Sequence, residues 1–231
     1  MRALRWLSRA DGPDAFPPPH EALTEPNGLL AAGGDLAPAR LLAAYRRGIF
    51  PWYEEGQPIL WWSPDPRAVL YPNALKVSRS LQRSLTKRGF EVTVDSAFER
   101  VVERCAEPRR YTNATWITDE MAQAYMRLHR LGWAHSFETW RAGVLVGGLY
   151  GVAIGRVFFG ESMFSRAADA SKVALVRMVD ALRTRGFALI DCQVASQHMT
   201  SLGAIALPRG EFLERLDELC EPAGEPQPWR L

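Results

Sequence analysis

The sequence predicts an α+β protein, on three observations. Residues Phe158 to Gln193 read as strand, polar turn, helix and second strand. The stretch from His135 to Phe159 reads as an antiparallel meander with turns at Gly143 and Gly155. Amphipathic helices are expected before, between and after these strands, each marked by an apolar stripe at three- and four-residue spacing.

Taken in order, residues 1 to about 20 are expected to be irregular, because Pro17, Pro18 and Pro19 force an extended path. Pro38 to Arg47 reads as a short helix: a proline suits the first turn, Leu41, Leu42 and Tyr45 form the stripe, and Gly48 supplies the stop. Beyond it, Phe50, Trp52, Tyr53, Trp61 and Trp62 crowd among four prolines. Rings at that density are costly to expose, so the segment reads as a docking surface for a small N-terminal domain or as a pocket for an apolar or planar ligand. Ser78 caps a helix running to Arg88. A strand from Phe90 to Asp95 follows, and Asp95 is expected to cap a helix that buries Phe98, Val101, Val102 and Cys105. Thr118 precedes a helix with Met121, Tyr125, Leu128 and Leu131 inward, ended by Gly132. The meander comes next, with strands His135 to Arg141, Val144 to Ile154 and Arg156 to Phe159.

The unit from Phe158 to Gln193 carries the chemistry. Leu175, Met178, Val179 and Leu182 form the apolar side of its helix, with Asp169 and Ser171 as candidate caps and Gly186 as the stop. Glu161 is expected just after the first strand and Asp191 at the end of the second, so two acids frame one crevice. In a regular strand Asp191 and Gln193 share a face while Cys192 points away. An acid beside an amide is suited to holding and deprotonating an amine. Ser201 to Pro208 adds an edge strand, Phe212, Leu213, Leu216 and Leu219 make a last helix, and the tail is expected to be loose.

Composition narrows the function. The 231 residues, 47% hydrophobic and 23% charged, suffice for one sizeable core and a small second domain. Three cysteines without a CxxC pair support neither a disulfide framework nor a zinc ribbon, and point to a reducing cytoplasm. No segment reaches the roughly 20 apolar residues of a membrane span. No GxGxxG or GxxxxGK motif accompanies a strand and helix, the four histidines lack metal-ligand spacing, and no serine sits in a nucleophile elbow. The net charge of +2 is too small to indicate nucleic-acid binding globally. Locally, Pro66 to Phe90 contains no acid but holds Arg67, Lys76, Arg79, Arg83, Lys87 and Arg88. A helix face of one sign favours contact with a phosphate backbone, without base specificity.

The blocks FPPPHEALTEPNGLLAAGGDL, YRRGIFPWY, PILWWSPDPRAVL, TWI, GESMFSRAADASK and LIDCQ, in this order and spacing, closely resemble the bacterial leucyl/phenylalanyl-tRNA–protein transferases. The likeness runs from Phe16 to Leu219; Ala37 stands where serine is expected and Ser196 where asparagine is expected. The resemblance implies a small N-terminal domain (1–65) packed on a GNAT-like mixed-sheet domain (66–231). It implies a cytoplasmic enzyme without metal or coenzyme that moves Leu or Phe from aminoacyl-tRNA to the α-amino group of proteins beginning with Arg or Lys. It makes Asp191 and Gln193 the catalytic pair, with Asp191 either orienting Gln193 or taking the proton. Glu161 then offers a counter-charge to the acceptor's basic side chain. Tyr45, Trp52, Trp116, Tyr125, Leu149, Phe158 and Leu175 match the family's aminoacyl and adenosine pocket, and Lys76, Arg79, Arg83, Lys87 and Arg88 would lie along the tRNA backbone. No DNA or membrane partner is implied. Two alternatives stand beside this one. An acetyl-CoA-dependent N-acetyltransferase would share the fold but wants a glycine-bearing pyrophosphate loop where this chain reads FSRAADAS; a non-catalytic RNA-binding module would have no use for the paired acids.

Overall fold

The computed structural model describes residues 4–107 and 117–221, together with 227 and 229. Two sheets organise them. The first takes β1 (Arg5–Leu7), β2 (Leu29–Gly33), β3 (Phe50–Pro51) and β4 (Leu60–Trp62) in the order β1-β2-β4-β3. The second takes β5 (Arg67–Leu70), β6 (Phe90–Val94), β7 (Ala134–Arg141), β8 (Val144–Ile154), β9 (Val157–Ser165), β10 (Leu189–Gln193) and β11 (Ile205–Leu207) in the order β11-β5-β10-β9-β8-β7-β6. Neighbours in the second sheet pair antiparallel, except that β9 and β10 run parallel. A parallel pair needs a crossover, and helix α5 (Ala170–Thr184) supplies it.

Alternation along the strands sends the two faces of this sheet into different cores. Leu149, Phe158 and Ile190 face α5, whose Val173, Leu175, Met178, Val179 and Leu182 cover them. Tyr150, Val152, Phe159 and Leu189 face the other way. They join one continuous core with the first sheet and with α1 (Pro38–Arg46), α3 (Phe98–Ala106), α4 (Asp119–Arg130) and α7 (Arg209–Leu219). Gly151 belongs to this packing: a Cβ there would meet the Phe158 ring at 2.6 Å and the Phe159 carbonyl oxygen at 2.2 Å. Two elements complete the fold, α2 (Arg79–Lys87) and the short α6 (Gln197–Ser201). Among the described residues, no helix is long and apolar enough to cross a membrane.

Helices follow their stripes. Ser78 and Thr118 cap α2 and α4, accepting from Leu81 N and Met121 N at 3.2 Å each. Several expectations are corrected. The irregular N-terminus contains β1, which pairs parallel with β2, and the aromatic loop contains β3 and β4; strands of two to five residues are too short for alternation to register. β9 continues to Ser165, so Glu161 lies within the strand and not after it. Leu131 is exposed, because it falls at the C-cap of α4 where the apolar face has turned away. Asp95 and Asp169 have positive φ and cap nothing with their side chains. Asp95 accepts instead from His135 and Ser136 of β7, while Asp169 accepts from Ser84 on α2. Nor is the tail loose at Trp229, whose ring stacks on His135 at 3.9 Å and whose backbone N–H donates to Asp95 at 3.2 Å.

Candidate active site

The parallel pairing of β9 with β10 extends to Phe159 and Asp191. There both strands lose register. On β9, Gly160 faces Gly151 and Ser162 faces Tyr150, leaving Glu161 as the extra residue of a bulge. On β10, Asp191 faces Val69 and Gln193 faces Ala68, leaving Cys192 unpaired, with Gln193 at φ 61°. Bulges re-aim side chains and end pairing. Side by side, these two open the sheet into a cleft with Glu161 on one lip and Gln193 on the other, Gln193 Nε2 donating to Glu161 Oε1 at 3.4 Å.

The two acids that frame the crevice have unlike surroundings. Asp191 is fully buried, and the Arg67 fork meets it twice: Nε to Oδ1 at 2.8 Å and Nη2 to Oδ2 at 2.7 Å. Arg67 also donates to the Gly48 carbonyl at 3.1 Å and lies between the rings of Phe50 and Phe212, 4.7 and 4.8 Å from their centroids. A planar guanidinium suits such a slot. Two expectations are corrected here. Arg67 is buried and does not belong to the basic surface, and Asp191 does not share an open face with Gln193, because the bulge breaks the alternation. What Asp191 does is orient: its Oδ1 accepts the Gln193 backbone N–H at 2.9 Å. Sequence reasoning missed Arg67 as part of the site. The available signal was an arginine opening the apolar run AVL, since a buried guanidinium requires a carboxylate.

Glu161 is half-buried; solvent reaches it from the cleft while protein closes round its other sides. Tyr45 of α1 donates to Oε1 at 2.7 Å and Tyr125 of α4 donates to Oε2 at 2.5 Å, and the two hydroxyl oxygens stand 2.8 Å apart. Burial drives its pKa up to about 7, the hydroxyls of Tyr125 and Tyr45 opposing this and the nearby Asp191 reinforcing it. Burial also raises both tyrosines, with the Glu161 charge adding to the effect. The local ion pairs that could have occupied Glu161 go elsewhere: Arg166 pairs with Glu107 and Lys172 with Asp169.

Two cavities meet at this carboxylate. The larger, about 710 Å³, has Leu149, Phe158, Leu175 and Met178 as its apolar lining on the α5 side of the sheet and reaches Tyr150 and the α3 residues Arg104 and Cys105 on the other. Its volume falls in the range of small-molecule sites, roughly 300 to 1,000 Å³. Tyr150, Ser162 and His198 also line this cavity, and the Tyr150 hydroxyl, Ser162 Oγ and His198 Nε2 are buried without a hydrogen-bond partner among the described residues. The smaller cavity, about 340 Å³, lies toward β3 and includes Phe50 and Trp52. Both contain Glu161 and Gln193. Cys192 lies beside them, but burial raises its thiol pKa far from the thiolate, which disfavours nucleophilic chemistry at sulfur.

The structure therefore divides the expected pocket residues. Leu149, Phe158 and Leu175 line the large cavity, and Trp52, 45% exposed, lines the small one. Tyr45 and Tyr125 are fully buried and reach the cleft through Glu161. Trp116 lies outside the described residues. Lys76, Arg79, Arg83, Lys87 and Arg88 are all exposed on or beside α2; Arg88 also donates to the Ala168 carbonyl at 3.0 Å.

Comparison with known proteins matches the chain to a family. The family described as Leucyl/phenylalanyl-tRNA protein transferase matches residues 69–217, and its N-terminal domain matches residues 34–65. A leucyl/phenylalanyl-tRNA–protein transferase of Stutzerimonas stutzeri is 61% identical over 213 residues, 92% of this chain and 93% of the relative. One from Aromatoleum aromaticum is 59% identical over 226 residues, 98% and 94% of the two chains. Among solved structures, FemX superposes with a TM-score of 0.50 at 11% identity, covering 74% of this chain and 66% of its own. A GCN5-related N-acetyltransferase from Kribbella flavida gives 0.41 at 14% identity, covering 74% and 61%. The mixed-sheet α+β class expected from the sequence is the class observed, and FemX shares this fold. With both family matches and relatives near 60% identity over most of its length, the chain belongs to the leucyl/phenylalanyl-tRNA protein transferase family and is an aminoacyltransferase.

Proposed function

We propose that this protein moves leucine or phenylalanine from the 3′ end of charged tRNA to the α-amino group of proteins that begin with Arg or Lys, and so marks them for degradation in the cytoplasm. The observation that carries the reading is the meeting of two cavities at Glu161 and Gln193. The apolar cavity suits the side chain of the donor amino acid. Trp52 offers a flat face for the terminal adenine. The acceptor's basic side chain finds its counter-charge in Glu161.

The chemistry asks little beyond alignment. An aminoacyl ester is already activated, so no metal or coenzyme is needed to drive the step. The amine nitrogen forms the new C–N bond as the bond to the ribose oxygen breaks, and the proton lost from nitrogen ends on the ribose hydroxyl. A free α-amino group has a reference pKa of about 7.7 to 8.0, so a modest acceptor suffices near neutrality. Gln193 contacts the incoming amine, and Asp191, held by Arg67, fixes the Gln193 backbone. The Leu149, Phe158 and Leu175 wall selects the donor by shape, within the limit of about 1 to 3 kcal/mol per methylene. The exposed cations of α2 hold the tRNA backbone.

The test is transfer of labelled leucine from Leu-tRNA to peptides differing only in their first residue. Arg- and Lys-initiated peptides become labelled, and an Ala-initiated or N-acetylated peptide does not. Equal labelling of all free amines would remove the acceptor assignment.

A further inference from the structure

The hydroxyls of Tyr45 and Tyr125 and the carboxyl of Glu161 form a closed ring of three oxygen–oxygen contacts, at 2.7, 2.5 and 2.8 Å. Each contact needs one hydrogen to be a bond, since two oxygens facing each other without one repel. The tyrosines contribute one hydrogen each. If both point at the carboxylate, the contact between the two hydroxyls has none; if one points at its neighbour, its contact with the carboxylate has none. An ionised Glu161 therefore leaves one of the three contacts empty, and a protonated Glu161 fills all three.

We propose that Glu161 holds a proton in the empty site, shared round this ring, and releases it to solvent when the cationic side chain of an acceptor N-terminus docks. The exchange balances: a neutral carboxyl and a cation become an ion pair and a free proton. The proposal deepens the aminoacyl-transfer reading and rests on it.

The surroundings of Glu161 agree with this inventory. Asp191 is the nearest like charge, and its own charge is answered by Arg67. On α3 and after β9, Arg104 and Arg166 both pair with Glu107, so neither answers Glu161. The remaining titratable groups facing the cavity carry no positive charge near neutrality: burial raises Tyr150 and Cys192, and burial followed by Lys172 lowers His198. With no resident cation among the described residues to stabilise the anion, a proton takes its place until the acceptor brings one. Specificity follows. A neutral first residue cannot offset the ionisation of a half-buried carboxyl among hydroxyls, whereas a guanidinium or ammonium does.

The experiment is isothermal calorimetry on the full-length protein holding an amide-linked leucyl adenosine, repeated in two buffers of different ionisation heat. Two peptides are titrated, identical except that one begins with arginine and the other with citrulline, its neutral isostere. The citrulline peptide cancels any proton released by the α-amine. The arginine peptide is expected to release about half a proton more near pH 7, approaching one below pH 6 and none above pH 8. Glu161→Gln abolishes the difference. Equal release from both peptides in the wild type, or a difference that survives in Glu161→Gln, overturns the proposal. A protein that transfers leucine to the arginine peptide yet releases no extra proton loses the ring and keeps the transfer reading. A protein that transfers none loses both.

Discussion

Asp191 and Glu161 stand at the same split in the sheet, one on each parallel strand, and the protein treats them in opposite ways. Asp191 is sealed and bound bidentately by a guanidinium that is itself held between two rings. Glu161 looks into two cavities and is surrounded by hydroxyls and an amide, with no cation beside it among the described residues. Burial with a charged partner makes a rigid anchor; burial with neutral donors makes a group poised to change its charge. The pair of acids is thus divided between structure and chemistry, with Gln193 linked to both.

If the contrast holds, the largest effect comes from removing one half of the anchor. Arg67→Ala leaves a buried carboxylate without its partner and is expected to destabilise the fold by about 3 to 5 kcal/mol in urea unfolding. Replacing both members, Arg67→Met with Asp191→Leu, restores most of that stability but not transfer, because the Gln193 backbone loses its acceptor. A single variant as stable as the wild type would erase the distinction between the two acids.

Glu161→Gln should act in the opposite sense. Folding raises the pKa of this carboxyl to about 7, above its unfolded value of about 4.3. Its favourable contribution is therefore complete below about pH 4 and is lost as pH rises through about 7. The variant lacks this dependence, so it matches the wild type in acid and exceeds it above neutrality by on the order of 3 kcal/mol. Parallel stability–pH curves for the two proteins would contradict the account.

Reversing Arg79 and Arg83 to Glu sharpens the comparison from outside, since both lie on α2 and touch neither acid. tRNA binding weakens, and the slope of log affinity against log salt falls by about 1 for each phosphate no longer neutralised. Thermal stability stays unchanged. The smallest effect belongs to Ser78→Ala, which removes the α2 cap and lowers stability by about 1 kcal/mol in the same unfolding assay.

How much of this was legible in the chain follows from the range of each interaction. Helices α2, α4 and α5 are local, and their stripes and stops give them away. Strands β1 to β5 are two to five residues long, and pairing, not pattern, creates them. The bridge between Arg67 and Asp191 spans 124 residues, so no window contains both. Regular alternation places Asp191 beside Gln193 on one face, and the bulge at Cys192 undoes that placement. The motif blocks GESMFSR and LIDCQ mark the right lips of the cleft. The residues alone mark Tyr45 and Tyr125 as apolar helix faces and the family resemblance marks them as pocket wall, yet it is their hydroxyls, meeting over one carboxyl from two different helices, that matter to the site.

The most direct test is a crystal structure of the protein with an amide-linked leucyl adenosine and an Arg-initiated peptide bound together. The account predicts the leucyl side chain against Leu149, Phe158 and Leu175, and the peptide's guanidinium within hydrogen-bond reach of Glu161. A guanidinium seated away from Glu161, or a leucyl group outside the cavity beneath α5, would contradict it.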